Sequence, residues 1–356
     1  MRVVVAGAGL AGLTAATTIA AAGVDVQVLE PRRRVGGRIM AVEADQPGGA
    51  VDLGATWHWS DQPEILGLAT GLGLHSFPQH AEGHTLHETD AAGRPVPVEP
   101  VQPPAQARRF AGGTNELCLR LAGRLPPVSL ELEREVTIVA RHDEGISLTV
   151  ADRDGEETTR PATHVVVAVP PRLVLQNVFF QPALPDDLVG AMRNTHTWMG
   201  EAIKCVAVYD SPFWREAGLS GTAFSQAGPL VEVHDACGPG GRPAALWGLV
   251  AYDPDHRRTG PAERATAVLA QLARLFGPAA ADPVQCVERD WSADAYTCED
   301  EHHHGEPLPY GAPPLTRPYW DGRLVFAGTE TAARGGGHME GAVISGRRAA
   351  ALILGG

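Results

Sequence analysis

Residues 2–30 read RVVVAGAGLAGLTAATTIAAAGVDVQVLE, and this stretch decides the fold. Two short β-branched segments, 2–6 and 25–29, predict buried strands, and the Ala- and Leu-rich segment 10–22 between them predicts a helix. Residues 7–12 read GAGLAG, a GxGxxG turn between the first strand and the helix. Because such a β-α-β unit almost always crosses over right-handed, the stretch predicts a Rossmann-like α/β domain with a parallel sheet.

This glycine-rich turn predicts a binding site for the pyrophosphate of a dinucleotide. Gly7 permits the tight turn, Gly9 lets the backbone approach a phosphate, and Gly12 lets the helix pack closely on the strand. Ala11 lies in the first helical turn, whose N–H groups face the phosphates. Glu30 ends the second strand, where an acidic residue binds an adenosine ribose. A glycine-rich turn without a ligand is the alternative, which the strands and the acid disfavour.

The GxGxxG turn alone does not distinguish an FAD site from an NAD site, but a pair of glycines shortly after Glu30 does. Residues 34–38 read RVGGR, which is similar to the RxGGR fingerprint of flavin amine oxidases. Gly37 allows a backbone turn against the cofactor, and Arg38 reaches its pyrophosphate as a charge-assisted donor. Arg32 is a further expected contact. The alternative for these arginines is a solvated basic run, which suits Arg33.

Composition excludes several classes of partner. The 356 residues include 29 Lys+Arg and 42 Asp+Glu, a formal net charge of −13, so no nucleic-acid partner is expected. No long uncharged apolar run occurs, so no membrane span is expected. The five cysteines are scattered without a CxxC pair, which argues against disulfides and a structural metal and predicts a reducing cytoplasm. At about 150 residues per domain, the length predicts two domains.

The remaining pattern places the other elements along the chain. Helices are predicted at 115–124, 261–276 and 339–354, and strands at 130–136, 146–150, 164–169, 203–209, 244–251 and 323–327. Residues 76–112 are rich in Pro, Gly and His with weak periodicity, so irregular structure between domains is expected there.

The whole chain resembles the flavin-dependent amine oxidases of the monoamine and polyamine oxidase family. The similar segments are 52–57 (DLGATW), 111–114 (AGGT), 199–204 (MGEAIK), 290–292 (DWS), 326–331 (FAGTET) and 339–343 (MEGAV). The resemblance implies a two-domain α/β fold, with a Rossmann-like FAD-binding domain over 1–75, 108–190 and 286–356. It implies a smaller α+β substrate domain over 76–107 and 191–285. Compared with the family the chain is short, and the deficit is expected between Trp57 and Val136.

The resemblance also implies FAD as the cofactor. Its expected contacts are Gly7, Gly9, Ala11, Gly12, Glu30, Arg32, Gly37, Arg38, Gly54, Ala55, Thr56, Val136, Trp291, Gly328, Glu330, Gly337, His338 and Met339. Monoamine oxidases attach FAD to a cysteine, but the matching position here is Asp300 and Cys298 lies two residues too early. Non-covalent FAD is therefore expected.

The expected catalytic residues are Lys204, His338, Trp291 and Trp57. In the family, the lysine matching Lys204 holds a water near flavin N5 and assists the reaction with O2. A lysine within an apolar strand is costly unless its ammonium finds a partner or deprotonates. The alternative is a lysine at a strand edge that faces solvent.

The substrate site departs from the family pattern. Most members flank the amine with two aromatic side chains, and here one of those positions is His338 while the other falls near Asp300 and Glu301. The aromatic cage is either absent or rebuilt, with Trp57, Trp59 or Tyr296 as candidates.

A histidine-rich stretch follows. Residues 299–306 read EDEHHHGE and are interpreted as a polar loop at the substrate entrance that recognises a second cationic group. Metal binding is the less favoured alternative, because three consecutive histidines cannot all face one ion on a regular element. His58 is a similar candidate for that second group, or else a histidine of the pocket wall.

The predicted reaction is two-electron oxidation of the C–N bond of a small amine. Hydride passes from the α-carbon to flavin N5, the imine hydrolyses to a carbonyl compound, and O2 is reduced to hydrogen peroxide. A flavin desaturase acting on a C–C bond is the first alternative, and a flavoprotein that has lost its chemistry is the second. The protein is expected in the cytoplasm as a monomer or homodimer.

Overall fold

The computed structural model of the protein describes residues 1–45, 49–99, 107–251, 259–298 and 309–355. The α-helices of these residues are α1 (Leu10–Ala21), α2 (Pro63–Gly71), α3 (Asn115–Ala122), α4 (Pro171–Asn177), α5 (Asp186–Arg193), α6 (Phe213–Glu216), α7 (Pro261–Phe276), α8 (Pro313–Thr316) and α9 (Met339–Leu354). The first ten strands are β1 (Arg2–Ala6), β2 (Asp25–Glu30), β3 (Ala41–Glu43), β4 (Ala50–Asp52), β5 (Ser76–Pro78), β6 (His84–Glu88), β7 (Val96–Val98), β8 (Arg108–Phe110), β9 (Leu130–Leu132) and β10 (Arg134–His142). The other ten are β11 (Gly145–Asp152), β12 (Glu157–Ala162), β13 (His164–Val167), β14 (Phe179–Gln181), β15 (Ile203–Tyr209), β16 (Leu219–Ser225), β17 (Leu230–Asp235), β18 (Ala244–Val250), β19 (Gln285–Asp290) and β20 (Leu324–Phe326).

A parallel five-stranded sheet in the order β20-β13-β1-β2-β9 forms the centre of the first of two units. Its central strand is buried on both faces, which is why its sequence is an uninterrupted apolar run. Val3 and Val5 pack in one core cluster with α1 and α9, and Val4 and Ala6 pack in another with β10, β11 and α5. The predicted Rossmann-like domain is confirmed.

A seven-stranded sheet in the order β19-β15-β18-β17-β16-β6-β7 forms the second unit. In β15 the side chains alternate between two cores. Cys205 and Ala207 pack with α7, whereas Val206 and Val208 pack with Val51 of the first unit and its neighbours. The even-numbered residues of β15, Lys204 among them, therefore face the parallel-sheet side.

Two expectations about secondary structure were wrong. The described residues of 76–112 contain four strands instead of irregular structure, and β6 pairs with β16 within the seven-stranded sheet. The weakly patterned sequence of β6 gave no strand signal, because its pairing comes from tertiary context. The single strand predicted at 130–136 is two strands in different sheets, and the chain changes sheet at Glu133, whose φ is +56°.

The sheets also bear on the expected division into domains. The strands at 84–88, 96–98 and 203–250 share one sheet, and β19 pairs with β15 in that same sheet. The boundary expected at residue 286 lies inside β19, so this sheet extends to Asp290.

Several expectations concern what the chain lacks. In the part of the chain that the structure describes, no helix is both long and apolar enough to span a membrane. Among the same residues, no group of three or more metal-ligating side chains is placed to hold an ion. All five cysteines are described and are free thiols. Asp300, Glu301 and the histidines at 302–304 lie outside the described residues.

Candidate active site

A cavity of about 450 Å³ lies between the two units. The carboxyl ends of β1, β2 and β13 open onto it, as expected for a ligand site in a parallel α/β sheet. The residues named from the sequence that line it are Gly7, Gly9, Ala11, Glu30, Arg32, Gly37, Arg38, Gly54, Ala55, Thr56, Trp57, Trp59, Val136, Lys204, Trp291, Tyr296, Gly328, Gly337, His338 and Met339. Gly12 and Glu330 lie behind the lining.

The glycine-rich turn has the geometry that a dinucleotide requires. Gly7 has φ +105°, and a Cβ there would lie 2.8 Å from the carbonyl oxygen of Ala168. A Cβ at Gly12 would lie 2.0 Å from Gly7 O, so α1 can pack on β1 only with glycine at this position. At Gly9, by contrast, a Cβ would meet no protein atom within 4 Å, and the residue borders the cavity. The space beside Gly9 is therefore free for a phosphate.

Glu30 holds this turn in place from the end of β2. Its buried carboxylate accepts hydrogen bonds from the backbone N–H of Ala8 (2.8 Å) and of Arg32 (3.1 Å). Arg32 in turn forms an ion pair with Asp294 (2.7 Å) and donates to Thr297 (2.8 Å). These contacts fix an acid and a guanidinium on the cavity wall where an adenosine is expected.

Glu330 is a buried carboxylate beneath the cavity. It is 0% exposed, and Nη1 of Arg38 lies 2.6 Å from one of its oxygens. Despite this short ion-pair distance, neither oxygen has a well-aligned hydrogen bond among the described residues. A buried carboxylate without aligned donors is costly, so this pair fits a ligand that supplies hydroxyl donors, such as the ribityl chain of FAD.

Lys204 is the only lysine in the sequence, and it is buried in the cavity wall. Its Nζ donates to the carbonyl oxygen of Gly54 (3.0 Å) and to Oγ1 of Thr56, and it lies 4.3 Å from the ring centre of Trp247. Burial lowers the pKa of Lys204 to about 7, although the negative charge of Asp52 opposes this shift. The alternative of a solvent-facing lysine is therefore wrong.

Beside Trp57, the structure places two polar side chains that the sequence did not single out, Glu232 and His234. Glu232 lines the cavity, and Nε2 of His234 lies 3.5 Å from its carboxylate. The ring of Trp57 contacts those of His234 (4.8 Å) and Trp247 (5.2 Å) edge-on. The alternation in LVEVHD of β17 could have placed Glu232 and His234 on one face, but nothing in the sequence showed that this face meets the cavity.

His338 stands at the start of α9 with an exposed ring. Trp59 meets it edge-on at 5.3 Å between ring centres, so Trp59 is the cage candidate that lies beside it. Tyr296 contacts Arg32 and Glu135 instead, which places it with the residues expected to hold the adenosine. Trp198 and Tyr310, which sequence reasoning missed, pack against the backbone of Gly337.

Trp291 and His58 are held by protein contacts. The indole N–H of Trp291 donates to Leu53 O (3.0 Å), and the guanidinium of Arg289 lies 4.9 Å from its ring centre. His58 is completely buried, stacks on Phe110 at 4.3 Å, and has its pKa lowered to about 4, with burial as the main cause. His58 does not border the cavity, so neither role expected for it, recognition of a second cationic group or a place in the pocket wall, fits the structure. Its low pKa keeps the ring neutral near pH 7.

A family model described as flavin containing amine oxidoreductase matches residues 10–111 and 102–354. The chain belongs to this family. It is 29% identical to putrescine oxidase of Kocuria rosea, over 99% of this chain and 95% of that protein. It is 27% identical to the probable flavin-containing monoamine oxidase A of Dictyostelium discoideum, over 97% and 96% respectively. A solved structure of putrescine oxidase bound to putrescine has a TM-score of 0.83 at 24% identity, covering 100% of this chain and 99% of that one.

Family membership confirms the predicted cofactor and reaction class: the protein is an amine-oxidising oxidoreductase that uses FAD. Neither the C–C desaturase nor the inactive flavoprotein is favoured by these comparisons. The alignment with the Kocuria protein runs over 467 positions, so that relative has internal segments which this chain of 356 residues lacks. The two segments that the family model matches overlap at residues 102–111. This overlap lies inside the interval where the chain is expected to be shorter than its relatives.

Proposed function

We propose that the protein is an oxidase that removes hydride from the α-carbon of a neutral amine, with O2 as the final electron acceptor. The observation that carries this proposal is the Lys204 amine, buried in the wall of a cavity that the FAD-binding residues also line. FAD, when bound, supplies the two-electron acceptor at N5 and, with O2, yields hydrogen peroxide. The imine product then hydrolyses to a carbonyl compound and ammonia or an amine.

The cavity wall favours the neutral, reactive form of the substrate. Leu53, Trp57 and Leu249 line it beside Lys204, and an apolar wall disfavours an ammonium group. Because the same surroundings keep the pKa of Lys204 near 7, this residue can hold a water and exchange a proton near neutral pH. No further general base is needed for loss of hydride from a neutral amine.

Glu232 points to the substrate class. The acidic residues on the cavity wall, within the described part of the chain, are Glu30, Glu135 and Glu232, and the first two stand with the adenosine-site residues. Glu232 is thus placed to bind a second cationic group of the substrate, with Trp57 as an aromatic neighbour. We infer a diamine or a similar amine with a distal cation. The similarity to a protein named putrescine oxidase supports this class.

The roles of the remaining residues complete the proposal. Trp59 and His338 line the cavity and would flank the amine in place of an aromatic cage, and Trp291 and Met339 would hold the flavin. FAD is held without a covalent bond. A cytoplasmic location and a monomeric or homodimeric state are proposed, in line with five free thiols.

Peroxide production tests this function with two matched substrates. Putrescine and pentylamine have chains of the same length, but only putrescine carries a second ammonium. We expect peroxide and an aldehyde from putrescine. Glu232→Gln should raise the KM for putrescine about tenfold or more, because a charge-assisted hydrogen bond is lost. The KM for pentylamine should not change.

The matched control is Glu216→Gln, an exposed carboxylate on α6. An equal rise of KM for both amines in Glu232→Gln would contradict the diamine proposal. Absence of peroxide with every amine, while the protein carries FAD, would contradict the oxidase function.

A further inference from the structure

The Thr56 hydroxyl lies between Lys204 and the backbone of Gly54. Thr56 is buried and borders the cavity. Its Oγ1 lies 3.2 Å from Gly54 O and within hydrogen-bond distance of Lys204 Nζ. Both hydrogen bonds that the structure gives this side chain belong to the surroundings of Lys204.

The hydrogen atoms in this arrangement can be assigned. Gly54 O has no proton to donate, so Lys204 Nζ donates to it. The single proton of the Thr56 hydroxyl has Gly54 O as its acceptor, so Oγ1 accepts from the second N–H of Lys204. A neutral lysine amine has two N–H groups and one lone pair. With both N–H groups bound to Gly54 and Thr56, the lone pair is the remaining site of Nζ, on a side chain that borders the cavity and lies against the ring of Trp247.

We propose that Thr56 is a positioning residue for Lys204. Its hydroxyl accepts one N–H of the amine, so that the remaining site of Nζ faces the cavity as a proton acceptor. Without the hydroxyl, one N–H loses its partner and the amine can rotate about the last bond of the side chain. The cavity then faces an N–H in place of the lone pair for part of the time. This inference rests on the proposed oxidase function, in which Lys204 assists the reaction with O2.

The hydroxyl also affects protonation of Lys204 in a direction that can be measured. An acceptor hydrogen-bonded to an ammonium favours the charged form, so its removal lowers the pKa of Lys204. Because Lys204 is the only lysine, a holoenzyme labelled with [15Nζ]lysine has one lysine side-chain resonance. Titration of that resonance reports the protonation of Lys204 independently of catalysis.

The test compares Thr56→Val, which removes the hydroxyl and keeps the branched shape, with Thr56→Ser, which keeps the hydroxyl. Thr195→Val is the control, because it removes another buried hydroxyl, which donates to Ala191 O. We expect Thr56→Val to move the 15N titration midpoint to lower pH and to slow flavin reoxidation by O2 about tenfold, with little change in anaerobic flavin reduction. Thr56→Ser and Thr195→Val should match the wild type.

An unchanged midpoint and an unchanged reoxidation rate in Thr56→Val would overturn the proposal. Lys204→Met separates this failure from that of the proposed function. If Lys204→Met slows reoxidation and Thr56→Val does not, only the role of Thr56 is wrong. If Lys204→Met changes neither flavin reduction nor flavin reoxidation, the proposed role of Lys204 is wrong, and the proposed role of Thr56 is then wrong as well. Should Thr56→Val lose FAD or fail to fold, Thr56→Ala is judged by the same measurements.

Discussion

At the scale of single residues, the charge of Lys204 is set by groups that oppose one another. Burial lowers its pKa, the negative charges of Asp52 and Glu232 raise it, and Arg109 lowers it. Burial raises the pKa of Asp52 itself, and the charges of Lys204 and Arg109 oppose this rise together with hydrogen bonds from the backbone N–H and the hydroxyl of Thr114, both at 2.8 Å. The proton affinity of the active-site amine therefore depends on a carboxylate that does not border the cavity.

This dependence predicts the effect of Asp52→Asn. The amide keeps an oxygen for Thr114 but removes the negative charge that stabilises the ammonium form of Lys204. The pKa of Lys204 should fall below its value of about 7, so that more of the amine is neutral at pH 7. The 15Nζ titration of the holoenzyme measures this shift directly.

Asp25→Asn is the control for that substitution. Asp25 is exposed and paired with Arg2, so removal of its charge should leave the midpoint unchanged. An unchanged or higher midpoint in Asp52→Asn would show that Asp52 does not act on Lys204.

At the scale of elements, long segments with strong patterns were predictable and pairing partners were not. The helices Pro261–Phe276 and Met339–Leu354 and the strand Ile203–Tyr209 have the predicted bounds. Each helix has a glycine directly after its last residue, and the strand is a short, almost uninterrupted apolar run. The strand His84–Glu88 could not be found, since its stability comes from its place beside β16. Likewise, Glu133 gave no sign of a change of sheet, because a residue other than glycine holds the left-handed backbone there.

The turn between β1 and α1 gives a prediction at this scale. Gly9→Ala places a methyl group where no protein atom lies within 4 Å but where a phosphate is expected. We expect the variant to fold and to bind FAD at least about tenfold more weakly, since a misplaced phosphate contact costs more than about 1.4 kcal/mol. The ratio of flavin to protein absorbance after purification measures the retained FAD.

Gly67→Ala in α2 provides the matched control. A Cβ at Gly67 also meets no protein atom within 4 Å, but the residue does not border the cavity. This variant should keep its FAD and gain stability of up to about 1 kcal/mol from helix propensity. Full FAD retention in Gly9→Ala would contradict the assignment of the turn.

At the scale of the whole molecule, the cofactor site was predictable and the substrate end was less so. The glycine turns and acids that the sequence identified surround one cavity, and those that follow β1, β2 and β20 lie at the carboxyl ends of parallel strands. Lys204 was found because residues 199–204 resemble the lysine-bearing segment of the family, and a lysine within an apolar strand agreed with that. Glu232 and His234 were missed because polar residues on a half-buried strand are ordinary until the facing surface is known.

The central claim, that the cavity brings a neutral amine to bound FAD, has one direct test. FAD-loaded protein is mixed with putrescine in the absence of O2, and the absorbance band of oxidised flavin is followed by stopped flow. We predict that the band bleaches and that the rate of bleaching rises with pH, as more of the substrate is neutral. A band that persists with putrescine and with other amines at every pH would contradict this claim.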